Sequence, residues 1–130
     1  MGSNSETSYR QLVVWQKSMD LVVEVYRCTK SFPRDEVFGL ISQMRQASIS
    51  VPSNISEGKG RYTNGELVRF LFNARGSLLE LQTQITLAGR LGYLPEMRVM
   101  ELEQRSAEVG RMLNGLTTRF RIQSEPVATK

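Results

Sequence analysis

The sequence predicts an all-α protein, an antiparallel up-down-up-down four-helix bundle with a proline-bent second helix. Three observations predict it. Apolar residues recur three and four apart through four separate stretches, the spacing that places them on one helix face. Short turn signals (Phe32-Pro33, Gly58 to Gly60 and Gly92) separate the stretches, and short connections make each helix run back along its predecessor. No stretch alternates apolar and polar residues as a half-buried strand does.

The first helix is expected from about Arg10 to Lys30. Leu12, Trp15, Met19, Val22 and Tyr26 follow helical spacing, Val14, Leu21, Val25, Cys28 and Phe32 form a second line beside them, and together the two lines are expected to give one broad buried face. Lys17, Asp20, Glu24 and Arg27 make the wet face. Phe32-Pro33 ends the helix, because the residue before a proline avoids the helical region.

The second helix is expected to start near Asp35, whose carboxylate suits a helix N-terminus. Its inner stripe is Val37, Ile41, Met44, Ser48, Val51 and Ile55. Pro52 sits within it, where it removes a backbone hydrogen bond and costs about 3 kcal/mol. Ser48, Ser50, Ser53, Asn54 and Ser56 surround it, and their short polar side chains can bond freed backbone groups. Pro52 and Asn54 therefore mark a structural kink, and Gly58 and Gly60 stop the helix.

Thr63 and Glu66 fit a capping box that opens the third helix, which should reach Leu91. Leu67, Leu71, Ala74, Leu78, Leu81, Ile85 and Ala88 form an uninterrupted seam along it. Val68, Phe70, Phe72 and Leu79 are apolar surface beyond that seam. Val68, Phe72 and Leu79 either widen the core or form an oligomer interface. Gly92 ends the helix, and Pro95 opens the fourth, which carries Leu102, Val109, Leu113, Leu116 and Phe120, with Ser106 in one slot. The four helices are expected to be of similar length. Residues 1–8 and 123–130 are expected to be disordered tails around a bundle spanning 9–122.

At 130 residues the chain is large enough for one domain with a real core. It has no run of about 18 apolar residues and no apolar signal segment, so a cytoplasmic location without membrane contact is expected. It contains no histidine, which removes Ser-His and Cys-His nucleophile pairs and histidine metal sites. Glu24, Glu57, Glu80 and Glu103 read as solvated helix surface in preference to a metal cage. Cys28 reads as a small buried thiol. No cofactor is expected. The net charge is +4, interspersed with acids and rich in arginine, which suits phosphate and carboxylate recognition.

One set of residues is distinctive in its order. Tyr9-Arg10, Val14-Trp15-Gln16-Lys17, Phe32-Pro33, Gln43-Met44-Arg45 and Val51-Pro52-Ser53-Asn54-Ile55 come first. Glu57-Gly58, Phe70-Leu71, Gly76-Ser77-Leu78, Glu80-Leu81 and Thr83-Gln84 follow, then Gly92-Tyr93 and the run Gly110 to Leu116. Over residues 9–118 this resembles the bacterial four-helix-bundle proteins called 23S rRNA intervening-sequence proteins. Lys59 departs from the aromatic residue expected between the two glycines and adds charge there. The resemblance implies a bundle that assembles into a five-fold ring and carries no known catalytic residues. Related accessory proteins of diversity-generating retroelements bind nucleic acid and a reverse transcriptase through a basic ring surface.

Two functions follow as expectations. One is a non-enzymatic homo-oligomer, a pentamer, that interacts with itself or with another protein. The other is RNA or DNA binding by the assembled ring. Five chains would carry about +20, a basic surface that no single chain shows. Candidate nucleic-acid contacts are Arg45, Lys59, Arg61, Arg69, Arg98, Arg105, Arg111 and Arg119, each of which taken alone reads as a solvated or ion-paired surface residue. Tyr62 beside Arg61 could stack on a base or pack at a helix boundary. Asn54, Glu57 and Gln84 could build a polar pocket, yet no nucleophile–base pair is visible, so an enzyme is not expected.

Overall fold

The computed structural model describes residues 8–124, with side chains as far as Ile122. Apart from Ser8 and the last turn of the fourth helix, the expected tails lie outside the described residues. Four helices account for most of the chain: α1 (Val13–Thr29), α2 (Leu40–Lys59), α3 (Asn64–Arg90) and α4 (Glu96–Ser124). Short 3-10 turns at Tyr9–Gln11 and Arg34–Glu36 precede α1 and α2. The four lengths are 17, 20, 27 and 29 residues, so the helices are not alike in length. The starts expected near Arg10 and Asp35 form 3-10 turns, and regular helix begins only at Val13 and Leu40.

Side-chain pairings fix the helix directions. Ser50 meets Ser77 at 2.7 Å, while Gly58, later in α2, lies against Leu67 and Phe70, earlier in α3. Gly89 faces Val99 and Gly110 faces Leu78 across α3 and α4. Glu24 reaches Arg98 and Lys17 reaches Glu108 across α1 and α4. In every pair the numbers rise along one helix as they fall along the other, so neighbours run in opposite directions. Helices α1 and α3 occupy opposite corners, and both flank α2 and α4.

The core follows the α3 seam. Leu71, Leu78, Leu81 and Ile85 are fully buried, against Met44, Val51 and Ile55 of α2 and Leu102, Val109 and Leu113 of α4. Each such side chain contributes roughly 1.5–3 kcal/mol, so a few of them outweigh the cost of Pro52. Pro52 is itself buried inside a continuous α2. The surrounding polar side chains bond backbone carbonyls one turn back: Ser48 to Arg45, Asn54 to Ser50 and Ser56 to Ser53.

Several expectations are corrected. On α1 the core line is Val14, Ser18, Leu21, Val25 and Cys28, whereas Met19 is exposed and Trp15, Val22 and Tyr26 are half-buried. The second line faces the axis because α1 sits between α2 and α4. The first lies over the groove to α2, beside Ile49 and Pro52. Val37 is exposed, since it precedes α2 and is out of phase with it. Val68 is buried and does not extend the outer surface. Gly58 does not stop α2. It is buried within the helix, where a Cβ would stand 2.7 Å from the Phe70 Cβ. Gly92 does end α3: its φ of 80° lets Tyr93 N–H reach the Ala88 carbonyl at 2.9 Å and Gly92 N–H the Gly89 carbonyl at 3.1 Å.

The start of α2 is held by Glu36 rather than Asp35. One Glu36 oxygen accepts the Leu40 N–H at 2.9 Å and the other accepts the Tyr93 hydroxyl at 2.8 Å, tying this turn to the α3–α4 connection. The Leu40 N–H, and after it the Tyr93 O–H, hold the Glu36 carboxyl below its ordinary value. Thr63 caps α3 by accepting the Glu66 N–H at 3.1 Å.

Two outcomes follow. Gly58→Ala forces its Cβ into Phe70 and should destabilise the fold by about 1–3 kcal/mol in urea titration. Because the Glu36 pKa is lowered on folding, its contribution is present above the ordinary value of 4.5 and lost as pH falls through the lower folded value. Wild type should therefore exceed Glu36→Gln in stability at pH 7, with the margin vanishing in acid.

Candidate interaction surfaces

Charge is divided along the bundle axis. The Ser50–Ser77 and Gly110–Leu78 contacts mark the level at which α2, α3 and α4 cross the middle, and Met19, beside Ile49 and Pro52, brings α1 to that level near residue 20. Below it lie residues 8–20, 50–77 and 110–124. They carry Arg10, Lys17, Lys59, Arg61, Arg69, Arg75, Arg111, Arg119 and Arg121 against Asp20, Glu57 and Glu66, nine basic residues to three acidic. The described remainder holds seven basic residues and eight acidic. One half is thus formally about +6 and the other about −1.

At the basic end, where the α2–α3 turn meets the last turns of α4, cations lie on aromatic rings. The Arg61 and Arg69 guanidiniums stand 4.7 and 4.8 Å from the Phe70 ring centre. Arg119 and Lys59 share Phe120, at 5.1 and 6.0 Å. Arg121 stands 5.6 Å from the Phe72 ring. Such contacts contribute about 0.5–1 kcal/mol each at exposed sites and hold flexible side chains in place. Tyr62, at the turn, is fully exposed at 102 % and packs against nothing.

Of the eight candidate nucleic-acid contacts, Lys59, Arg61, Arg69 and Arg119 come together at this end, with Arg111 higher on α4 in the same half. The other three lie in the opposite half. Arg45 donates to Thr29 Oγ1 at 2.9 Å and the Tyr26 carbonyl at 3.4 Å, across the C-terminal turn of α1. Arg98 pairs with Glu101 at 2.7 Å and Glu24 at 3.7 Å. Arg105 lines a cleft with Glu24, Glu101 and Glu108. Arg10, Arg75 and Arg121, which sequence reasoning passed over, fall in the basic half. Only the antiparallel pairing gathers them, since they come from three distant stretches.

A second surface is the face of α3 that points away from the seam. Phe72, Gly76, Leu79, Thr83, Thr86 and Leu87 share it, all exposed and none charged, over about 22 Å of helix. The threonine hydroxyls are spent on their own helix: Thr83 donates to the Leu79 carbonyl at 3.0 Å and Thr86 to the Gln82 carbonyl at 3.2 Å. The strip is therefore more apolar than its composition suggests.

The polar residues around Pro52 have a structural role. Ser50 Oγ contacts Ser77 Oγ, and the Asn54 amide donates to both the Ser50 carbonyl, at 2.8 Å, and its hydroxyl, at 3.0 Å. Glu57 is exposed and pairs with Arg61. Gln84 lies about 11 residues along α3 from the level of Asn54, roughly 16 Å, so the three side chains form no shared pocket. Gln84 Oε1 and Ser106 Oγ are buried without partners. Burial pushes the Cys28 thiol pKa up, with the Arg98 guanidinium opposing it. Among the described residues no group of three or more His, Cys, Asp or Glu side chains is placed to hold a metal. No helix there is long and apolar enough to cross a membrane.

Residues 10–115 match the model of the family described as 23S rRNA-intervening sequence protein, and the chain belongs to that family. Among solved structures it is similar to a protein of unknown function from the S23 ribosomal protein family of Bacteroides thetaiotaomicron VPI-5482, with a TM-score of 0.73 at 19 % identity. That likeness covers 81 % of this chain and 98 % of the other, and it establishes a shared fold. No curated protein matches the chain.

Ser50→Ala removes the hydroxyl shared by Ser77 and Asn54. It should cost about 1 kcal/mol in thermal or urea unfolding, and the double variant Ser50→Ala/Ser77→Ala should cost less than two independent losses.

Proposed function

We propose that this member of the 23S rRNA-intervening sequence protein family is a non-enzymatic interaction protein that works as a homo-oligomer, assembled as a ring of five. The observation that carries this reading is the outer face of α3. Phe72 and Leu79 lie about half exposed on the side away from the core, on a strip whose own side chains carry no charge and whose threonine hydroxyls are already bonded, with the Arg121 guanidinium over its Phe72 end. A strip of this kind lowers its free energy by burial against a second copy. Sedimentation at micromolar concentration should give a mass several times 14.8 kDa. Phe72→Glu/Leu79→Glu should shift it to the monomer with little change in melting temperature, because neither side chain is buried in the core. A wild-type protein that sediments only as monomer would overturn the reading.

The charge division favours a second reading, an accessory protein that binds RNA or DNA through the basic surface of the assembled ring. Five like halves on one side would concentrate positive charge there.

A further inference from the structure

We propose that the basic end of each single bundle is itself a platform for single-stranded nucleic acid, with Tyr62 as the base-stacking surface and Lys59, Arg61, Arg69 and Arg119 as phosphate contacts. This rests on the nucleic-acid reading above but removes its requirement for a ring. One half of one chain already carries about +6, and three carboxylates cannot neutralise nine cations.

Three observations select the ligand. Of the nine cations seven are arginines, which pair with phosphate oxygens through two parallel N–H bonds. Four of the end's cations are laid over Phe70 and Phe120. Much of the entropy of fixing them is therefore lost before a ligand arrives. Tyr62, with its ring wholly in solvent beside Arg61, offers an aromatic face that no protein atom covers. Exposed aromatic faces among basic side chains suit unstacked bases, which a duplex does not present. The end consists of a turn and helix termini. Among the described residues no helix lies lengthwise across this end and no strand pair is present to enter a major groove, which also disfavours duplex readout.

The test uses the full chain and its Leu79→Gln/Leu87→Gln variant, which disrupts the α3 strip outside the basic half without adding charge and whose monomeric mass is checked by sedimentation, in fluorescence anisotropy. The probes are a labelled 12-nucleotide single-stranded RNA of mixed sequence, a duplex of the same length and vesicles containing phosphatidylserine. The single strand should bind more tightly than the duplex or the vesicles. Its affinity should fall with salt at a slope of about −3 in log–log form, as expected for about four phosphate contacts. Tyr62→Ala should weaken single-strand binding about tenfold, within the range for one stacked base, and leave the salt slope unchanged. Arg61→Gln/Arg119→Gln should flatten the slope by about one unit or more, whereas Arg34→Gln/Arg90→Gln in the other half should alter neither quantity. Binding that disappears in monomeric Leu79→Gln/Leu87→Gln but persists in wild type would overturn this proposal and leave the ring reading intact. No binding by either protein would overturn both. Duplex or vesicle binding as tight as single-strand binding, or indifference to Tyr62→Ala, would overturn the platform alone.

Discussion

The bundle depends on the apolar seam of α3. Leu67, Leu71, Ala74, Leu78, Leu81, Ile85 and Ala88 are buried along nearly the whole helix, and α2 and α4 pack on its two sides. Helix α1 is positioned only through α2 and α4. The seam sets the register as well as the energy. With Gly58 pressed against Phe70 and Gly89 against Val99, the two flanking helices can slide little without a clash. Both surface features, the charge division and the uncharged outer strip, are consequences of that register.

The parts of the fold legible in the sequence were those with one dominant pattern. The α3 seam, the Thr63 cap and the Gly92 stop each have a local cause, and each stands where its residues place it. Helix α1 was less legible because it is apolar around more than half its circumference. Two stripes compete there, and only the position of α1 between two neighbours decides which faces the axis. Val37 misleads for a related reason: its spacing fits a helix, but helix does not begin until Leu40. Gly58 reads as a stop from its type alone, whereas its reason is a long-range contact with Phe70.

The candidate surfaces were legible only in part, and for a different reason. Net charge is a scalar, and +4 over 130 residues conceals described residues that divide into halves differing by about seven charges. Arg10, Arg69 and Arg121 are far apart in the chain and share an end only once the helices fold back on one another. Arg45 could not be separated from them by sequence, because its partners are a hydroxyl and a carbonyl of α1. Phe72 and Leu79 were identifiable as surplus to the seam. Val68, one turn from Phe72, was not distinguishable from them until its burial was known.

The uneven charge also bears on how copies can meet. Each chain is an electric dipole whose positive pole is one end of the bundle. In a closed ring whose rotation axis ran parallel to the bundles, those poles would all point the same way, and its members would repel one another across the shared rim. Dissolved ions shield that repulsion over about 10 Å at 0.1 M. The same ions compete with a bound polyanion for the rim. Ionic strength therefore pushes the two events in opposite directions, favouring contact between copies while loosening the polyanion. A polyanion laid along the rim would take over the shielding role of salt, coupling occupancy to assembly with no change in the shape of the bundle.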